Sequence, residues 1–170
     1  MEEYIANNRN YEFYWFPHTE TVQNKFSNIS QEAVKPYTKA NYLNDLVLEN
    51  MLFGAISSMT RVVPSMSASV AKLSANLVGE TNKLDWSHKV YATPRLVKFN
   101  EMEYNVPIES FKDVCEEIAE CVRQKHFKVH FPTENRFIKG DDIYLSPCYG
   151  RDSAHISVHV FKGKPYKEYF

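Results

Sequence analysis

Residues 128–138 alternate between charged and apolar side chains, and this alternation constrains the fold more than any other feature of the chain. One parity holds Lys128, His130, Glu134 and Arg136, and the other holds Val129, Phe131 and Phe137. A period of two is that of a β-strand, so the pattern predicts a strand with one packed apolar face and one charged face. The charged face must meet water or a ligand, because burying unpaired charge is costly.

The rest of the chain reads as strands separated by helices. We predict further strands at residues 11–16, 97–106 and 154–161, with a shorter one near 143–145. Apolar residues at helical spacing predict helices over residues 40–64, 66–77 and 107–123, and a last helix begins at 167–170. Residues 23–36 read as irregular and 84–94 as a connector. Without the βαβ rhythm of a parallel sheet, this order predicts an α+β fold.

Composition describes an ordinary globular protein and excludes several classes of function. The 170 residues are 44% hydrophobic with a net charge of −1, so there is no electrostatic case for binding nucleic acid. Three cysteines without Cys-x-x-Cys spacing argue against a zinc site and for a reducing compartment. The longest stretch without a charged residue, 50–60, is too short to cross a bilayer, which takes about 20 apolar residues.

The run from Phe131 to Ser153 makes the chain recognisable. It reads Phe-Pro-x-Glu-x-Arg and then Asp-Asp-Ile-x-Leu-Ser-Pro-x-x-Gly-Arg-Asp-Ser, a pattern that resembles the C-terminal substrate domain of the sugar-lactone oxidases. These are the D-arabinono-1,4-lactone and L-gulono-1,4-lactone oxidases of the vanillyl-alcohol-oxidase flavoprotein superfamily. Residues 14–19 and 102–107 resemble the start and the middle strand of that domain, in the family's order.

The resemblance implies an antiparallel β-sheet flanked by helices, with its other face covering an FAD. In the resembled family a separate N-terminal domain holds most of that cofactor. The five glycines here include no adjacent pair, so the sequence offers no Gly-rich loop for a pyrophosphate. We therefore expect residues 1–170 to be a single, partial substrate (cap) domain, truncated at both ends relative to the family. Without the FAD-binding domain it should bind no FAD, catalyse nothing and self-associate through the bared domain interface.

Glu134 and Arg136 are the first candidate site residues. A carboxylate can accept hydrogen bonds from sugar hydroxyls, and a guanidinium can bind oxygens bidentately or offset charge on a reduced flavin. By resemblance they are the family's substrate-binding and flavin-facing pair, which makes both candidate catalytic residues and Arg136 a cofactor contact. Their spacing alone favours a weak surface ion pair, and the resemblance of the surrounding run reverses that preference.

The strand at 154–161 places His155, Ser157 and His159 on one face. In the related alditol oxidases a histidine and a threonine of this strand reach the substrate, and their positions hold Ser157 and His159 here. We assign both to substrate binding and His159 to catalysis as a candidate proton acceptor, with water or the Glu134–Arg136 pair as the alternative. A metal site of His130, His155 and His159 lacks a positioned carboxylate or thiolate, so we predict none.

The leading hypothesis is the substrate domain of an FAD-dependent aldonolactone oxidase. The intact enzyme would pass a hydride from the lactone CH–OH to flavin N5, with oxygen as acceptor and an ascorbate-type product. Two alternatives are the cap domain of an alditol oxidase and a stand-alone carbohydrate-binding or assembly module without catalysis. We expect a cytoplasmic location, and the Met- and Leu-rich stretch 46–73 leaves association with an organelle membrane as the alternative.

Overall fold

The computed structural model describes residues 1–34, 49–77, 79–92 and 96–170, and these ranges contain one five-stranded β-sheet. Its strands are β1 (Asn10–Trp15), β2 (Val22–Ser27), β3 (Phe99–Pro107), β4 (Thr133–Ile138) and β5 (Ser153–Phe161). The strand order is β2-β1-β4-β5-β3, and every neighbouring pair is antiparallel. The predicted α+β fold with an antiparallel sheet is confirmed.

Five α-helices accompany the sheet within the described ranges. They are α1 (Glu2–Asn7), α2 (Glu49–Val62), α3 (Ser67–Leu77), α4 (Ser87–Tyr91) and α5 (Phe111–Gln124). Single 3₁₀ turns at Pro64–Met66 and Ile108–Ser110 lead into α3 and α5. In this part of the chain no helix combines the length and the apolar character needed to cross a membrane.

Helix α5 covers the apolar face of the sheet. Its apolar stripe begins at Phe111, which packs with Ala154 and Ile156 of β5 into a buried cluster. Phe13 of β1 and Phe137 of β4 pack against the same cluster. The stripe arises from apolar residues three and four positions apart, which lie on one side of a helix. Burying this face fixes the register, because a one-residue slip would turn the apolar residues outward.

Helices α2 and α3 pack through a buried lysine rather than a purely apolar seam. Lys164, which follows β5, is 7% exposed. Its Nζ donates to Ser67 Oγ at 2.9 Å, to Thr60 Oγ1 at 3.4 Å and to the Lys128 carbonyl at 2.5 Å. Three acceptors therefore match the three N–H donors of the ammonium. Burial lowers the pKa of Lys164 to about 8.

His130 belongs to this same polar core. Its side chain lies 3.0 Å from Ser57 Oγ through Nε2 and 3.2 Å from Thr60 Oγ1 through Nδ1. Burial, followed by the charge of Lys164, lowers the pKa of His130 to about 3. The prediction that His130 shares a charged strand face with Glu134 was therefore wrong. Strand β4 begins only at Thr133, and residues 127–130 precede it outside any strand.

Other differences from the predicted elements have simple causes. Residues 23–36 were predicted to be irregular, but 23–27 belong to β2, an edge strand whose polar composition suits a solvent-facing side. The connector at 84–94 contains helix α4, and residues 143–145 and 167–170 form turns and irregular structure rather than a strand and a helix. The predicted first helix is described only from residue 49 onward, so its part at 40–48 lies outside the described residues.

The buried neutral His130 predicts a loss of stability in acid. The unfolded chain protonates this residue near its ordinary pKa of 6.5 and the folded chain only near 3, so the free energy of unfolding falls as pH falls through that window. The slope is at most about 1.4 kcal/mol per pH unit. The free energy of unfolding, measured in urea at pH 7 and at pH 5, should decrease less between the two pH values for His130→Gln than for the wild type. The matched change of an exposed histidine, His88→Gln, should keep the wild-type decrease. Equal decreases in all three proteins would contradict the assignment.

Candidate functional site

The face of the sheet opposite α5, called the polar face below, carries two rows of side chains that cross all five strands. From β2 to β3, the first row is Gln23, Tyr14, Glu134, Ser157 and Glu103. The second row, in the same strand order, is Lys25, Glu12, Arg136, His155 and Asn105. Period-2 alternation in each strand places these residues on one side, and the pairing aligns them. The sheet thereby places the predicted Glu134, Arg136 and Ser157 together.

An ion pair that passes over a strand lies at the centre of the polar face. Arg136 Nη2 of β4 bonds to Glu103 Oε2 of β3, although β5 lies between these strands. Two strand spacings are about 9.6 Å, a span that two long side chains can bridge. Ser157 lies beneath the pair and is 0% exposed. The pair therefore covers the middle of β5 on the side that α5 does not reach.

Arg136 also retains a donor without an acceptor. Its Nε–H is buried and has no hydrogen-bond partner among the residues that the structure describes, since Glu134 Oε1 lies 3.8 Å away. Burial acts to lower the pKa of the Arg136 guanidinium, but Glu103, Glu134 and Glu12 outweigh it and raise the pKa above its ordinary value. An unpaired buried N–H costs free energy until an acceptor reaches it. The Arg136 side chain as a whole is 40% exposed, so a ligand oxygen can reach the guanidinium.

Glu103 receives hydrogen bonds from three side chains. Besides Arg136, Ser157 Oγ donates to Oε2 at 2.6 Å, and His155 Nδ1 lies 3.1 Å from Oε1. Burial acts to raise the pKa of Glu103, but the bonds from Ser157 and His155 and the charge of Arg136 together hold it below its ordinary value. Glu103 is therefore an ionised carboxylate at neutral pH.

His159 lies on the polar face but apart from this centre. It follows Ser157 by two residues, about 7 Å along the strand, and pairs with Glu101 of β3. Its Nδ1–H donates to the Pro132 carbonyl at 2.8 Å, and its Nε2 lies 3.4 Å from Glu101 Oε1. Phe99 contacts the ring edge-on at a centroid distance of 5.1 Å. The role of His159 as proton acceptor stays a prediction.

The loop between β4 and β5 reaches the polar face through Cys148 and Arg151. Cys148 Sγ is 3.3 Å from His155 Nε2, and Arg151 Nη2 donates to Asn105 Oδ1 at 2.9 Å. Asp152 fixes the base of the loop by accepting from the Gly140 N–H at 2.8 Å. A side chain at Gly140 would meet the Arg151 backbone at 2.8 Å, so this close approach requires glycine.

Sequence reasoning missed Glu103 and His155 as members of the centre. Glu103 shares its parity with Glu101 and Asn105 in β3, which was the one available signal, but only the strand order shows that it faces Arg136. His155 was predicted to share a strand face with Ser157 and His159 but was not assigned a role. In the structure it lies beside Arg136 on the neighbouring strand. Among the described residues, no group of three or more His, Cys, Asp or Glu side chains could hold a metal ion.

Comparison with known proteins identifies the family of the chain. The family model of D-arabinono-1,4-lactone oxidase matches residues 1–170. An L-gulono-1,4-lactone dehydrogenase of Mycobacterium tuberculosis is 31% identical over 170 residues, which are 100% of this chain and 40% of that protein. The L-gulonolactone oxidases of Mus musculus and Bos taurus are 27% and 25% identical, over 95% of this chain and 37% of each protein.

The chain thus spans about two fifths of the length of the relatives it matches. The match of the family model over all 170 residues decides the family. The chain belongs to the D-arabinono-1,4-lactone oxidase family of sugar-lactone oxidoreductases.

Proposed function

We propose that this chain is the substrate-binding part of an FAD-dependent sugar-1,4-lactone oxidase, and that its polar face binds the lactone. The observation that carries the proposal is the partly exposed Arg136 side chain beside Glu134 on the polar face, whose Nε–H has no hydrogen-bond partner among the described residues. Membership of a family of lactone oxidoreductases supports the substrate class. In this proposal the rest of the protein supplies most of the cofactor site.

The two central side chains have complementary tasks. Glu134 is partly buried and presents carboxylate oxygens, which accept hydrogen bonds from the hydroxyls of a sugar ring. Arg136 presents N–H donors, which bind a lactone or hydroxyl oxygen. Because both side chains project from the same strand, the pair holds the reacting carbon in one orientation. Such positioning is a main source of rate acceleration.

The polar face fits a flavin as a neighbour but not as a tightly held ligand. Arg136 offers an unpaired donor and a positive charge, and both suit a ring whose reduced form carries negative charge. The sequence has no Gly-rich loop for the pyrophosphate, so Arg136 would contact the cofactor while another domain holds it. When bound, FAD supplies the hydride acceptor that no protein side chain provides.

The hydroxyl proton of the substrate needs an acceptor of its own. We propose His159, whose Nδ1–H is fixed by the Pro132 carbonyl so that Nε2 points toward the polar face and Glu101. A water held by the Glu134–Arg136 pair is the alternative. Ser157 does not serve as acceptor, because its hydroxyl is buried and donates to Glu103.

Ser157 also bears on the choice between a lactone and an open-chain alditol. It occupies the position at which the related alditol oxidases carry their histidine, and here it donates to Glu103. We therefore propose a lactone as substrate. Oxygen as electron acceptor is proposed only on the resemblance to the sugar-lactone oxidases. The cytoplasmic location, with an organelle membrane as the alternative, and the self-association of the isolated chain stay predictions.

Replacing Arg136 tests the site assignment. In the full-length protein, Arg136→Ala should lower kcat at least about 100-fold, since it removes a positioned charge and its donors from the reacting centre. Arg136→Lys keeps the charge but lacks the planar set of N–H donors, so its kcat should lie between those of the wild type and Arg136→Ala. The control Arg61→Ala changes an exposed arginine of α2 and should keep wild-type turnover. Unchanged turnover of folded Arg136→Ala would overturn the assignment.

A substrate panel tests the substrate class. Purified full-length protein should oxidise L-gulono-1,4-lactone or D-arabinono-1,4-lactone with a kcat/KM at least about tenfold above that for sorbitol and xylitol. The reason is that a fixed Glu134–Arg136 pair orients a rigid ring better than a flexible chain. The measurement is initial-rate flavin reduction under anaerobic conditions. A preference for the alditols would favour the alternative activity instead.

A further inference from the structure

The bonds around Glu103 link the edge strand β3 to the next two strands, β5 and β4, on the polar face. Its Oε2 accepts from Arg136 of β4 and Ser157 of β5, and its Oε1 faces His155 of β5. Only about one third of the Glu103 side chain is exposed, at 33%. With these donors in place, both of its oxygens are already occupied by protein groups.

The hydrogen bonds continue from His155 into the loop between β4 and β5. A carboxylate can only accept, so His155 Nδ1 carries the proton that faces Glu103. The other nitrogen, Nε2, lies 3.0 Å from Asn105 Nδ2 and 3.3 Å from Cys148 Sγ. Asn105 in turn accepts from Arg151 at 2.9 Å. One chain of contacts therefore runs from the loop through Asn105 and His155 to Glu103.

Two carboxylates compete for Arg136, and Glu103 holds it. Arg136 bonds to Glu103, whereas Glu134, two residues away on the same strand, remains at 3.8 Å from its Nε. If Glu103 were neutral, the guanidinium would turn toward the remaining charges of Glu134 and Glu12. That movement would occupy Glu134 and remove the unpaired Nε–H from its present position.

We propose that Glu103 is a positioning residue that anchors Arg136 and thereby keeps Glu134 available to the substrate. This inference rests on the proposed function only in that the ligand is taken to be the substrate. The anchoring of Arg136 by Glu103 is a property of the chain itself. Glu103 acts through Arg136 and does not touch the reacting atoms. His155 and Ser157 hold the Glu103 carboxylate in the orientation that bonds to Arg136.

The first test observes Arg136 directly, without any reaction. In full-length protein with ¹⁵N-labelled arginine, the Nε–Hε resonance of Arg136, assigned by its loss in Arg136→Lys, should shift in Glu103→Gln. Glu116→Gln, a change of an exposed glutamate on α5, should leave it in place. Ser157→Ala removes one donor to Glu103 and should shift the resonance by a smaller amount. A resonance unchanged in Glu103→Gln and in Ser157→Ala would overturn the proposal.

The second test asks whether Glu103 acts through Arg136. Glu103→Gln should lower kcat about 10- to 100-fold and also raise KM, because the guanidinium turns toward Glu134 and both groups that meet the ligand are then misplaced. Glu103→Asp should recover part of the loss. In an Arg136→Ala background, Glu103→Gln should cost less than about twofold more. Fully additive losses would show that Glu103 acts independently and would overturn the proposal.

These readouts separate the two proposals. If Arg136→Ala leaves lactone turnover unchanged, the proposed function fails, while the Arg136 resonance still decides whether Glu103 anchors the guanidinium. If the resonance is insensitive to Glu103 but Arg136→Ala abolishes turnover, the function stands and the anchoring role falls. If Glu103→Gln does not fold, the Arg136 resonance in Ser157→Ala and the turnover of Glu103→Asp test the anchoring role in its place.

Discussion

The ion pair between Arg136 and Glu103 is the interaction on which the polar face depends. It joins β4 to β3 over the top of β5, which is the strand between them. A charged pair that is partly removed from water is more stable when other groups hydrogen-bond to it. Ser157 and His155 do so for the Glu103 carboxylate. The pair thus covers β5 at Ser157 and also fixes the position of Arg136 in the candidate site.

This arrangement explains how one layer of sheet can be buried on both sides. Helix α5 covers the apolar face, and the long side chains of β3 and β4 cover β5 on the other. The first eight residues of β5 are all buried. At Ser157, on the polar side, the cover is the Arg136–Glu103 pair and not a helix. Among the described residues, the Arg136 Nε–H is a buried donor on this face without a partner. A candidate binding surface and a packed core therefore share one strand.

The sequence allowed the face to be predicted but not its centre. Alternation within β4 was enough to place Glu134 and Arg136 on one side of that strand. Alternation within β5 likewise placed His155, Ser157 and His159 on one side of β5. Which of these meet depends on strand order and register, which are long-range and leave no local signal, so Glu103 was overlooked. Strand β2 was missed because an edge strand needs few apolar residues, and His130 was misplaced because its alternation extends past the true start of β4 at Thr133.

The central claim is that the polar face is where a sugar lactone meets Glu134 and Arg136. A crystal structure of the full-length protein with a bound lactone tests it most directly. In that crystal structure, lactone oxygens should lie within hydrogen-bond distance, about 3 Å, of the Glu134 carboxylate and of the Arg136 guanidinium. Arg136 should still be bonded to Glu103. A lactone bound away from the polar face, or a polar face covered by protein with no ligand against it, would contradict the account.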